Sequence, residues 1–244
     1  MNPPAHLLKV RELDLVFESA RWAFAERQAA SIAAHWVRIT KAKPSLFNGR
    51  VLLLGRRAIV TGSDGAVTLK GAFFATDYAD YLAWEQFGFP GDQVDNCFSM
   101  AALRCADGAF LLGEMAHHTI NAGQIYFPAG SPDPTDIFAG RVDLEASARR
   151  ELLEETGVDA SEAAIARGWT VVFAERRIAC MKLMTLAVPA ARAKARIDAF
   201  LARDPHAEFT RMHIVRSPRD IDDSRVPVFV AEYLLDAFAH RSVG

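Results

Sequence analysis

Little in this chain supports an extracellular or membrane-bound life. Three cysteines, Cys97, Cys105 and Cys180, are spread over 244 residues without a CxxC pair, and an odd count offers no disulfide frame. Reduced thiols in a cytoplasmic protein are the expectation. No uncharged apolar run approaches the roughly 18 residues that span a bilayer, and Met1 to His6 lacks the pattern of a secretory leader. Charge of either sign is scarce in excess: the net charge of −2 excludes bulk electrostatic binding to nucleic acid or to an anionic membrane. Internal repeats and low-complexity stretches are also missing. What the chain does have is apolar content, 51%, enough to fill a substantial core.

The most informative stretch is Arg150-Glu151-Leu152-Leu153-Glu154-Glu155-Thr156-Gly157-Val158. On a helix, Glu151, Glu154 and Glu155 fall at i, i+3 and i+4 and share one face. Carboxylates crowded in this way repel unless a cation lies between them. A hard divalent ion such as Mg²⁺ takes carboxylate oxygens and keeps positions open for a substrate phosphate. A solvated acidic face is the plain alternative. Helix ends are legible too: Asp143 suits the N-cap, Leu144, Ala148 and Leu152 form an apolar stripe, and Gly157 suits the left-handed position past the end. Arg150 and Glu154, at i and i+4, are spaced to pair.

Residues 150–158 resemble the second half of the Nudix box, G-x5-E-x7-R-E-U-x-E-E-x-G-U with U apolar. The resemblance implies a metal-dependent hydrolase, using Mg²⁺ or Mn²⁺, of a diphosphate linkage in a nucleoside diphosphate conjugate. Its products would be a nucleoside monophosphate and a phosphorylated partner. It makes Glu151, Glu154 and Glu155 metal-ligand candidates and Arg150 the residue that orients them. The first half of the box departs from the pattern. Counting back from Arg150 puts Asp136 at the family glycine and Val142 at the family glutamate. The glycine turn is read instead at Pro128-Ala129-Gly130, with six extra residues before the helix and the first glutamate lost. Ala129 is carried over as a weak metal-ligand candidate through its carbonyl.

The resemblance also implies the fold: α/β, a Nudix-type α/β/α sandwich with a mixed sheet over residues 92–244, preceded by an N-terminal α+β extension over 1–91. Pro90-Gly91-Asp92 marks the junction. Patterning alone predicts a helix over 18–39, strands at 50–54, 58–61 and 67–74 with a turn at Gly62-Ser63-Asp64-Gly65, and a short aromatic helix at 77–87. It then predicts a hairpin from 98–104 to 109–114, strands near 125–127, 169–174, 178–188 and 212–215, and helices at 190–203 and 228–239. Lys43 to Gly49 and Lys70 to Tyr78 resemble the leader of the Nudix branch that hydrolyses UDP-sugars, and the lengthened box loop agrees with that branch.

Outside the box, a water-activating carboxylate from a loop is often needed. Glu208, before a short strand, joins Arg150 and Glu154 as a catalytic candidate, and the family's habit of drawing a glutamate from this later region supports it. Arg176 and Arg177 could meet phosphate oxygens or form a plain hairpin tip. His117 and His118 read as loop histidines or as two ligands lacking a third. Phe73, Phe74, Tyr78, Tyr81 and Trp84 are core aromatics or a base-stacking wall. Two further readings stand: a non-catalytic Nudix-fold nucleotide sensor, favoured by the missing glutamate, and a homodimer.

Overall fold

The computed structural model describes residues 5–91 and 94–240. The N-terminal part opens with two strands the sequence reading missed, β1 (His6–Val10) and β2 (Glu12–Phe17). The long helix expected over 18–39 is two helices, α1 (Ala23–Arg27) and α2 (Ala29–Ala42). The two strands expected at 50–61 are one, β3 (Arg50–Thr61), whose register slips between Leu54 and Arg56 at Gly55. It turns through 62–66 into β4 (Val67–Asp77), and α3 (Tyr78–Gln86) follows with Asp77 and Asp80 forming a capping box.

The second part begins with β5 (Asn96–Arg104) and β6 (Phe110–Met115). Asp92, at the expected junction, lies outside the described residues. The hairpin they form is closed only at Arg104↔Phe110. Beyond that pair the strands part, and β7 (Ile125–Tyr126) and β8 (Ala129–Gly130) fill the split, β7 on β6 and β8 on β5. The glycine turn is thereby carried to the middle of the sheet. β9 (Ile137–Phe138) and β10 (Arg141–Val142) form a tiny hairpin before α4 (Leu144–Thr156). Then come β11 (Ala163–Ile165), β12 (Trp169–Ala174), β13 (Arg177–Leu186), α5 (Ala190–Leu201), β14 (Phe209–Val215) and α6 (Val228–Ala239).

The large sheet runs β1-β12-β13-β5-β6-β14, parallel only between β13 and β5. Alternation along β5 assigns its two faces. Phe98 meets Phe229 of α6 at 5.5 Å between ring centres, while Cys97 joins a core with Leu15, Leu54 and Phe73 of the smaller sheet and Leu144 of α4. Helices therefore cover both sides, and the expected mixed-sheet α/β/α arrangement with an α+β N-terminal part is the architecture found. The small sheet runs β3-β4-β2-β10-β9. Its other face packs on α1–α3 through Phe24, Ile32, Phe74 and Trp84.

Strands cross between the two parts in both directions. β1 pairs antiparallel with β12, and β10 pairs with β2. The six residues that lengthen the box loop belong to this exchange. They sit in a segment that forms a turn over Pro134–Asp136 and a hairpin whose tip, Ala139 and Gly140, has φ of 48° and 76°. Phe17 donates its backbone N–H to Gly140 at 2.9 Å, Arg141 meets Asp14 at 2.7 Å, and Leu52 donates to the Pro132 carbonyl at 2.7 Å. No helix of the described residues is long and apolar enough to cross a membrane.

Candidate active site

α4 supplies the acidic face, and its local sequence explains why the face is held still. The Asp143 carboxylate accepts from the N–H groups of Glu145 and Ala146 at 3.0 and 2.9 Å. Leu144, Ala148 and Leu152 are buried against the sheet. Gly157 closes the helix at φ 66°, its N–H on the Leu153 carbonyl.

The three glutamates occupy different surroundings. Glu155 is 5% exposed, and its Oε2 accepts from the Ala129 N–H at 2.9 Å. Glu151 lies over the glycine turn so closely that a Cβ at Gly130 would collide with its carboxylate. Glu154 projects outward, its side chain 59% exposed. Arg150 meets Glu151 at 2.7 Å and Glu154 at 3.5 Å, so the pairing predicted from i, i+4 spacing is present but is the weaker of the two. Its other hand grips Asp136, with Nη2 at 3.1 and 3.3 Å from the two carboxylate oxygens.

Asp136 is the residue of this cluster that the sequence reading passed over. Counting put it at a glycine position, and it served there only to show a mismatch. It is 5% exposed, its Oδ2 also accepts from the Asp133 N–H at 3.0 Å, and it braces the arginine from within the lengthened loop. The signal available was the Asp133-Pro134-Thr135-Asp136 pattern of a capped turn.

Electrostatics set this cluster apart. Burial pushes Glu151 up to about 7, with Glu154, Glu208 and Asp136 adding to the rise and Arg150 opposing it. Burial likewise raises Glu155 well above the ordinary carboxylate range, helped by Glu151 and Glu208 and opposed by the Ala129 N–H. Glu208 is raised by burial and by Glu154, with His118 pulling the other way. The carboxyl of Glu208, from the loop before β14, is therefore within electrostatic reach of all three box glutamates. Its backbone is fixed by the Ala116 N–H on its carbonyl at 2.7 Å, and the next residue, Phe209, packs flat on Gly113, where a Cβ would collide with the ring.

Among the described residues no three His, Cys, Asp or Glu side chains converge as a ready metal cage. The donor chemistry nevertheless suits a hard cation. Glu151, Glu154 and Glu155 are close enough that the charge on one disfavours charge on another, a tension that a divalent ion would relieve.

A cavity of about 1150 Å³ takes in the glycine turn and Glu208 and reaches the N-terminal part. Ala129, Gly130 and Glu208 line one end of it. The loop 45–49, Tyr78 and Tyr81 line it on the N-terminal side. That loop is tied across the opening: Lys43 Nζ donates to the Thr119 carbonyl, and Ser45 Oγ to that of His118 at 3.3 Å. Of the other candidates, His118 lines the cavity, Phe73, Phe74 and Trp84 are core, and Arg176 and Arg177 are paired with Asp95 and with Glu85 and Glu175.

No protein-family model and no curated protein matches the sequence. Among solved structures the chain is similar to a MutT protein from Methanosarcina mazei Go1, at 18% identity over 61% of this chain and 95% of that one, with a TM-score of 0.39. It is similar to the Nudix hydrolase RenU from M. smegmatis at 16% identity over 61% and 86%, TM-score 0.39. An Ap4A hydrolase from C. elegans gives 16% identity over 59% and 95%, TM-score 0.40.

Proposed function

We propose that the protein is a Nudix-type pyrophosphohydrolase that cleaves the diphosphate linkage of a nucleoside diphosphate conjugate, with a UDP-sugar as the favoured kind. The observation that carries this is the meeting of the box helix and the glycine turn: Glu155 bonded to Ala129, Glu151 seated over Gly130, and Glu208 beside them at one end of a large cavity. Burial raises both Glu151 and Glu155 in spite of their partners, a cost that a purely structural acidic helix has no need to carry. The leader segment that resembles the UDP-sugar branch supplies Ser45, Leu46, Phe47 and Tyr78 to the same cavity, which supports that preference.

Glu151, Glu154 and Glu155 would hold Mg²⁺ or Mn²⁺, and the ion would neutralise charge building on the diphosphate oxygens. Arg150, braced by Asp136, keeps Glu151 turned toward the glycine turn. The Ala129 N–H does the same for Glu155. Glu208, in its ionised form, takes the proton of a water as that water's oxygen bonds to phosphorus. The P–O bond to the bridging oxygen breaks, and the bridging oxygen leaves with the other phosphate. Burial raises Glu208 toward the pH at which a carboxylate is an effective base.

The test is a Mg²⁺-dependent hydrolysis screen over UDP-glucose, ADP-ribose, NADH, coenzyme A and a dinucleoside polyphosphate, with Glu154→Gln in parallel. One conjugate cleaved by the wild type, spared by the variant and protected by chelator is the expected result. No turnover on any of them, with nucleotide binding intact, would replace the hydrolase with the sensor.

A further inference from the structure

Phe47 is the barest large apolar side chain among the described residues. It is 82% exposed, and it also lines the cavity. Phe138, beside the tip of the β9–β10 hairpin, is as open at 81% but lies outside the cavity wall. A single exposed apolar side chain is ordinary on a protein surface. What sets Phe47 apart is how firmly it is placed. Ahead of it, Lys43 Nζ donates to the Thr119 carbonyl and Ser45 Oγ to the His118 carbonyl at 3.3 Å. Behind it, Asn48 Oδ1 accepts from the Ala79 N–H and the Gly49 carbonyl from the Tyr78 N–H, both at 2.8 Å. Part of the ring rests on Gly49, where a Cβ would come within 3.4 Å of it. The rest of the ring is bare.

A flat ring on a fixed backbone loses little freedom when a ligand settles on it. The loop to which it is tied carries Asn121 and Gln124 to the same cavity. Their amides can both donate and accept. Val228, 53% exposed, adds apolar surface to the cavity wall. A flat apolar surface together with amides suits a ligand that has a π face and a polar edge. A phosphate has no such face, and a glycosyl group carries hydroxyls around its ring.

We propose that Phe47 is the stacking platform for the nucleobase of the substrate, with Asn121 and Gln124 at the polar edge of the base. The N-terminal part then holds the nucleoside while α4 acts on the diphosphate. Every base has a π face, so the platform adds affinity without choosing among bases, and the choice falls to the amides. This inference rests on the hydrolase reading above, and the two can fail separately.

The experiment is titration of the full chain, with chelator present, by UMP, AMP and ribose 5-phosphate, followed by the proton spectrum of the ligand. Wild type, Phe47→Ala, Phe47→Trp and Phe138→Ala are compared. The two nucleotides should bind more tightly than ribose 5-phosphate. Phe47→Ala should weaken both about tenfold and leave ribose 5-phosphate within twofold. Phe47→Trp should keep the wild-type affinity, and Phe138→Ala should change nothing. The base protons should move upfield on binding to wild type, as protons above an aromatic ring do, and that shift should vanish in Phe47→Ala. Wild type that binds the nucleotides no better than ribose 5-phosphate, equal losses for all three ligands, or no loss in Phe47→Ala would overturn the assignment. Chelator-sensitive hydrolysis without the base-selective loss removes only this inference. The base-selective loss without hydrolysis removes only the enzyme.

Discussion

Glu114 and Glu155 are both drawn in from solvent in the same part of the molecule, and they are treated in opposite ways. Glu114 accepts from Arg211 at 2.9 Å, His213 at 2.8 Å and Arg225 at 2.7 Å. Burial works to raise it, yet those three partners hold it down to about 2. Glu155 has one backbone N–H and a neighbourhood of other carboxylates, and it is raised instead. A carboxylate that braces a fold is surrounded by cations. One kept in burial among its own kind is held at a cost, which the fold tolerates where the group has work to do.

The largest expected effect breaks this contrast directly. Glu155→Gln should lower kcat/KM on the order of 10³-fold, as loss of a group that stabilises transition-state charge does, while raising or preserving the melting temperature. Glu114→Gln should do the reverse: turnover stays near normal, and urea denaturation reads a loss of about 2 kcal/mol, since one partner of a charge network is removed. Similar losses of both properties in both variants would show that the two sites do not differ in kind.

A second pair of changes sharpens the contrast within the active cluster. Gly130→Ala puts a methyl where the Glu151 carboxylate lies. That carboxylate is the free end of a flexible side chain, so stability should hold while kcat/KM falls about 10²-fold from misplacement. Asp136→Asn removes the charge behind Arg150 and should cost about 10–100-fold, with Asp136→Glu recovering part of it. A loss of folded protein in either variant, seen by circular dichroism, would assign these residues to structure.

The subtlest effect is a slope, spread over more than two pH units. With Glu151 raised to about 7 in the folded chain, the metal-free protein keeps a proton there that the unfolded chain releases near its ordinary value of 4.5. The folded state therefore binds more protons between those values, and stability falls as pH rises through that window. The change is about 3 kcal/mol at most. Chemical denaturation at pH 5 and pH 8 should show the fall, and Glu151→Gln should lessen it, the raised Glu155 and Glu208 keeping a part. A wild-type profile as flat as the variant's would remove the basis for a strained Glu151.

The box helix was legible because its signals are local: a cap, a stripe, a left-handed glycine and three charges within fifteen residues. So were the glycine turn and most strands of the large sheet. Glu208 could be named as a candidate, but only the pairing of β14 with β6 brings it to α4. Asp136 was unreadable as a partner because its meaning depends on a lengthened loop folding back over Arg150. β1, β2 and β10 were missed because each is short and is completed by a distant partner, and β9 because two residues paired with β10 carry no pattern of their own.

The strand exchange between the two parts also orders events in time. His6 waits for Phe173 and Val16 for Arg141 before either sheet has all its strands. A chain emerging from the ribosome exposes the edge of its first sheet until most of the sequence has followed. Contacts this distant along the chain slow the search for the native pairing. The protein should thus mature in one late closing event, with the cavity and the acidic cluster appearing together rather than in succession.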